Sequence, residues 1–128
     1  MKESNSFKHT SFKPSLKAAL AGLLVSFRLE RNFRFQCMAA LFVFAMAFLL
    51  ELGILEWCIL IMCICFVLIA ELINTAIETM LDLLYPEYHE LVGRAKDIAA
   101  GVVLLASCMS AVVGILVFAH AIIERFFI

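Results

Sequence analysis

The chain has 128 residues, enough for one domain, and 65% of them are hydrophobic while only 16% are charged. That apolar share exceeds the roughly 45–50% of a soluble domain, and a domain this small buries only part of its surface, so the composition excludes a water-soluble globule and points to a bilayer. The net charge of −1 decides little, and no nucleic-acid partner is expected.

Residues 1–11 are read as an N-terminal tail, followed by a single membrane unit over 12–128. The stretch FKPSLKAALAGLLVSF (12–27) comes first. Phe12, Leu16, Leu20, Leu23, Leu24 and Phe27 fall at helical spacing on one stripe, Lys13 and Lys17 flank it, and Pro14 suits a first turn. The pattern predicts an amphipathic helix over 12–30 lying in the membrane interface.

Three predicted spans follow, at about 33–51, 54–81 and 95–123. The first contains FQCMAALFVFAMAFLL (35–50), short against the ~20 residues needed to cross hydrocarbon. The second contains fourteen uncharged residues (57–70) and then ELINTAIETMLD (71–82). The third begins with twenty-six residues (98–123) that contain no Asp, Glu, Lys or Arg. No segment alternates apolar and polar residues, so strands of a barrel are the weaker reading. The expected fold is an all-α membrane protein.

Seven of the ten Lys and Arg residues precede the first span: Lys2, Lys8, Lys13, Lys17, Arg28, Arg31 and Arg34. The link ELGILE (51–56) has none, the 82–97 loop has Arg94 and Lys96, and Arg125 alone follows the third span. Positive charge stays on the cytoplasmic side. The N-terminus and the 82–97 loop are therefore expected in the cytoplasm, with the 51–56 link and the C-terminus outside. The N-terminal stretch lacks the short apolar core and small-residue cleavage site of a signal peptide.

Cys37, Cys58, Cys63, Cys65 and Cys108 sit in apolar spans without metal-ligand spacing and read as buried free thiols. His120 reads as a bundle-facing or interfacial side chain. No phosphate loop or dinucleotide fingerprint occurs.

On a helix, Glu71, Asn74, Thr75, Glu78 and Asp82 form one continuous stripe. A carboxylate at membrane depth costs at least ~2.5–3.5 kcal/mol on insertion scales. Two of them need a compensating partner: a cation, a metal or a bound ligand. The following stretch, LYPEYHELVGRAKDIAAG (84–101), supplies basic groups at Arg94 and Lys96. Acidic groups facing basic ones at the membrane surface suit a metal-bound polyanion. The residues alone lead no further than a helical membrane protein with a polar site on its cytoplasmic side.

ELINTAIE (71–78), EYHELVGRAKDIAAG (87–101) and ERNFR (30–34) resemble, in order and spacing, the bacterial diacylglycerol kinase and undecaprenol kinase family of small membrane enzymes. The resemblance covers roughly residues 12–123. It implies a homotrimer and ATP-dependent phosphorylation of a membrane lipid alcohol with Mg²⁺. Glu78 and Glu30 are implied as ligands of the magnesium that accompanies ATP, and Glu71 as the base that takes the lipid hydroxyl proton. Asn74 is implied as a contact to the γ-phosphate or to Glu71. Glu87, Tyr88 and His89 match a nucleotide-contacting loop, and Lys96 and Asp97 an ATP-binding pair, joined there by Glu30 and Glu78. ERNFR, the pair Glu56–Trp57 and KDIAAG look closer to the undecaprenol branch; the alternative is a diacylglycerol kinase making phosphatidic acid. A non-catalytic membrane oligomer would explain the acidic stripe but not the ordered YHELVGRAKD loop. Small residues at four-residue spacing, Ser107/Ala111 and Ser110/Gly114, would allow close helix contact in a trimer.

Overall fold

The structure is a computed structural model that describes residues 12–127; the predicted 1–11 tail lies outside the described residues. Four helices follow in chain order: α1 (Phe12–Leu29), α2 (Arg31–Leu49), α3 (Ile54–Leu84) and α4 (Glu90–Phe127). The last three are long and apolar enough to cross a membrane. No strand occurs among the described residues.

α1 and α2 are separated by one residue. Glu30 adopts an extended conformation (φ −91°, ψ 114°), which breaks the helix. The joint is held from below by Arg34, whose Nη1 donates to the carbonyls of Arg28 (2.6 Å) and Phe27 (3.4 Å). These are carbonyls that the end of α1 leaves without helical partners. No residue of α1 is buried, so its leucine stripe is open to whatever surrounds the chain.

α2 reverses into α3 through a tight turn. Leu52 N–H donates to Ala47 O and Glu51 N–H to Phe48 O, both 3.1 Å. This paired closure is the Schellman arrangement, with its left-handed residue (φ 55°) supplied by Glu51 rather than the usual glycine. The buried positions of α2 are Phe33, Ala40 and Ala47, seven residues apart and on one face. Phe44 stacks on Trp57 of α3 at 5.8 Å between ring centres.

α3 is the central element and packs most extensively against α4. Ala99 and Ala106 of α4 are buried, and small side chains let helices approach closely where no hydrophobic drive exists. Ser110 Oγ donates to Cys63 O across the pair at 3.2 Å. Between α2, α3 and α4 runs an apolar groove of about 360 Å³, walled by Val43, Leu60 and Ile64 on one side and Ser107, Ala111 and Gly114 on another, with Gln36 also in its lining.

α3 and α4 overrun the spans read from hydropathy at 54–81 and 95–123, while α2 ends at Leu49, short of the expected 51. Thirty-one residues make α3 ~46 Å long, against a hydrocarbon core of ~30 Å. The backbone ladder continues past the apolar run because an interface, unlike hydrocarbon, tolerates charged side chains. The five thiols are free, yet none is buried within the chain: Cys58, Cys65 and Cys108 are exposed and Cys37 and Cys63 half-buried. A single chain leaves these helix faces uncovered.

Candidate active site

Glu71 is 3% exposed, and Asn74 on the next turn 8%. A carboxylate so enclosed needs a donor. It comes from α2, where Gln36 Nε2 donates to Glu71 Oε2 at 3.0 Å. Asn74 turns the other way along α3, donating Nδ2–H to Glu78 Oε1 at 3.0 Å. That i,i+4 contact follows from helical spacing. Glu71 and Glu78 are thus each held by one amide. Each amide also carries a buried acceptor without a partner, Gln36 Oε1 and Asn74 Oδ1.

Glu30, half-buried at the α1–α2 joint, comes near enough that its charge and that of Glu78 both act on Glu71. Three carboxylates from two segments therefore share one end of the bundle. Beyond them Lys96 of α4 pairs with Asp82 of α3, tying the two helices where α3 ends. Arg94 is engaged locally with Glu90 at 2.5 Å, a pair exposed on both sides.

The 85–89 connection is exposed throughout, and Tyr88 is 91% exposed. His89 has a backbone partner: its Nδ1 accepts the N–H of Leu91 at 3.2 Å, completing the first turn of α4. Its ring lies 6.4 Å from that of Tyr85. Glu87 and Asp97 are both exposed. Of the residues singled out in the sequence, the structure brings together Glu30, Glu71, Asn74 and Glu78, and separately Lys96 with Asp82. Gln36 was not among them. The signal was present: it is the one amide side chain in 35–50, and a polar group inside a span is a functional candidate by default.

Among the described residues no three His, Cys, Asp or Glu side chains converge as a ready metal cage. Magnesium does not require one. It keeps several waters and takes one or two carboxylates plus substrate phosphates. Glu30 and Glu78, with the unpartnered Asn74 Oδ1 beside Glu78, are hard oxygen donors of that kind, so the residues fit a metal that enters with a nucleotide.

At the opposite end, Arg125 reaches Glu51 at 3.5 Å and His120 reaches Glu124 at 3.6 Å, around a shallow cleft of about 260 Å³ that Glu56 also lines. These pairs are largely exposed and close the turn onto α4.

Comparison with known proteins gives a consistent result. A family model described as prokaryotic diacylglycerol kinase matches residues 17–118. An undecaprenol kinase of Bacillus subtilis (strain 168) is 41% identical over 107 residues, covering 84% of this chain and 87% of that protein. A diacylglycerol kinase of Synechocystis sp. is 42% identical over 101 residues, 78% of this chain and 58% of that protein. A diacylglycerol kinase of Escherichia coli (strain K12) is 37% identical over 100 residues, 76% and 82% of the two chains.

Proposed function

Because the chain belongs to the prokaryotic diacylglycerol kinase family and is a lipid kinase, we propose that it transfers the γ-phosphoryl group of ATP to undecaprenol at the cytoplasmic face of the cell membrane. The observation that carries this reading is a carboxylate buried at the inner part of a spanning helix, Glu71, whose hydrogen-bond partner Gln36 also lines an apolar groove between the helices. A long isoprenoid chain suits such a groove, and its terminal hydroxyl would then arrive beside Glu71.

In this reading Glu71 accepts the hydroxyl proton as the oxygen attacks phosphorus. General-base assistance contributes roughly 10²–10⁴-fold. The transferring group carries spread negative charge, so the remaining work is positioning and electrostatic stabilisation. Glu30 and Glu78 would hold Mg²⁺, which supplies positive charge to the phosphates when bound. Asn74 orients Glu78 by the bond it already makes, and its unpartnered oxygen would accept from a metal-bound water. Lys96 faces phosphate in exchange for Asp82, with Asp97, Glu87, Tyr88 and His89 around the nucleotide. A separation of seven positions from Glu71 to Glu78 places them ~10.5 Å apart along α3. The lipid alcohol stays in the bilayer and ATP outside it.

The distribution of Lys and Arg supports a cytoplasmic N-terminus and 82–97 loop, with the C-terminus outside. α1 lies along the inner interface with its leucines toward lipid. Three chains, giving nine spans, form the active assembly, since one chain leaves most of its apolar helix surface uncovered.

The second reading, a kinase of diacylglycerol, is favoured by the 42% identity to the Synechocystis protein of that name. The deciding assay supplies the purified protein with Mg·ATP and, in separate mixed micelles, undecaprenol or diacylglycerol. Preferred turnover of undecaprenol by roughly tenfold or more in kcat/KM, about 1.4 kcal/mol, is the expected outcome. The reverse preference establishes the second reading, and absence of lipid-stimulated ATP consumption with either lipid defeats both.

A further inference from the structure

Gln36 joins two things that are far apart in sequence. It stands 35 residues from Glu71, donates its Nε2–H to Glu71 Oε2 at 3.0 Å, and borders the apolar groove. Its Oε1 is buried without a partner. A buried acceptor left unsatisfied costs ~1–3 kcal/mol, and hydrocarbon offers no water to relieve it. A contact serving only the fold would be better made by an apolar side chain against that groove. The amide costs stability where it stands, so its use must lie in what it bonds.

We propose that Gln36 is a positioning residue for phosphoryl transfer. It holds one oxygen of Glu71 so that the other faces the acceptor hydroxyl, and it remains a hydrogen-bond partner of Glu71 after the proton has arrived. The proposal rests on the reading of Glu71 as the base.

The chemistry requires a group that serves both forms of a carboxyl. An ionised carboxylate only accepts hydrogen bonds, whereas a protonated one must also donate. During transfer the lipid oxygen bonds to the γ-phosphorus while the bond from that phosphorus to the bridging oxygen breaks. The bridging pair of electrons leaves with ADP, and the hydroxyl proton passes to Glu71. The carboxylate becomes a neutral acid. Glutamine meets the first form with Nε2–H. The acid keeps its unprotonated oxygen on the side of Gln36, so the same Nε2–H supports the second form as well. A carboxylate at position 36 would repel the base, and an apolar residue would leave both forms unsupported. The proton then passes to water.

The test pairs Gln36→Met with Glu71→Gln. Methionine keeps the length and flexibility of the side chain and removes both hydrogen-bonding atoms. Purified protein is assayed for kcat at saturating lipid alcohol and for KM of Mg·ATP, singly and in the double variant. Gln36→Met is expected to lower kcat roughly 10–100-fold, the scale of a misplaced reacting group, with KM for Mg·ATP unchanged within about twofold. In the Glu71→Gln background the same substitution should produce no further loss. Gln36→His, whose ring retains one donor and one acceptor, should recover much of the rate. An unchanged kcat in Gln36→Met, an equal loss in both backgrounds, or a defect confined to KM would overturn the proposal. If Glu71→Gln alone kept the full rate, the base assignment itself would fall, a result distinct from the others.

Discussion

Replacing Asn74 with leucine should leave the fold standing and weaken the hold of the site on magnesium. The two consequences come from the two ends of one amide. Nδ2 donates to Glu78 Oε1 at 3.0 Å, and a hydrogen bond to a charged group is worth ~1.5–3 kcal/mol. Oδ1 is buried without a partner, a standing cost of ~1–3 kcal/mol. Leucine removes both, so the stability terms nearly cancel and the thermal transition should move by only a few degrees. Nothing cancels for Glu78, which loses the group that orients it. Loss of a supporting hydrogen bond behind a metal ligand costs roughly 10–100-fold in metal affinity or activity, about 1.4–2.8 kcal/mol. The assay is initial rate against free Mg²⁺ at saturating ATP and lipid, alongside a melting curve in the same detergent. The reasoning predicts a half-saturating Mg²⁺ concentration raised at least tenfold. An unaltered Mg²⁺ requirement, or a protein that no longer folds, would show that the amide is part of the packing and not of the site.

Glu30→Gln and Glu78→Gln should each raise the Mg²⁺ requirement and cut turnover, since each withdraws an anionic ligand from a hard cation; wild-type Mg²⁺ dependence in either variant removes that residue from the metal. Lys96→Met should raise KM for ATP while leaving KM for the lipid unchanged, because the ammonium is spent on Asp82 only until phosphate replaces it; an unchanged KM for ATP refutes the phosphate role. In a cysteine-free background, a single cysteine at 125 should react with a membrane-impermeant maleimide in intact cells, and one at 96 only after permeabilisation. The opposite labelling pattern overturns the orientation.

The helical architecture was legible from local signals. Pro14 and the Leu16–Leu20–Leu24 spacing announce α1, and the charge-free runs announce the three spans. Their ends were less legible because hydropathy reports where hydrocarbon stops and not where a helix stops. α4 starts at Glu90, ahead of the predicted 95, with the Glu90–Arg94 pair in its first turns. The stripe on α3 was legible for the same reason as α1. Asn74 and Glu78 are one turn apart, so their contact is a property of the sequence. The bond from Gln36 to Glu71 is not, for a partner 35 residues away leaves no periodic trace. Lys96 gives a similar lesson. The resemblance assigned it to phosphate, while its partner in the chain, Asp82, read only as the end of the polar stripe. Likewise, His89 carries a backbone contact that no nucleotide-loop motif would suggest.

The turn between α2 and α3 bears on how the protein enters its membrane. A hairpin whose tip must cross the bilayer takes every polar group of that tip through hydrocarbon, where each unsatisfied backbone group costs several kcal/mol. Here the N–H groups of Leu50, Glu51 and Leu52 are already bonded to the carbonyls of Met46, Phe48 and Ala47. The tip can travel closed, and the carboxylates of Glu51 and Glu56 are the only ionisable groups it carries. On the orientation proposed above, this closed turn is the end that would cross, and there Arg125 pairs with Glu51 at 3.5 Å.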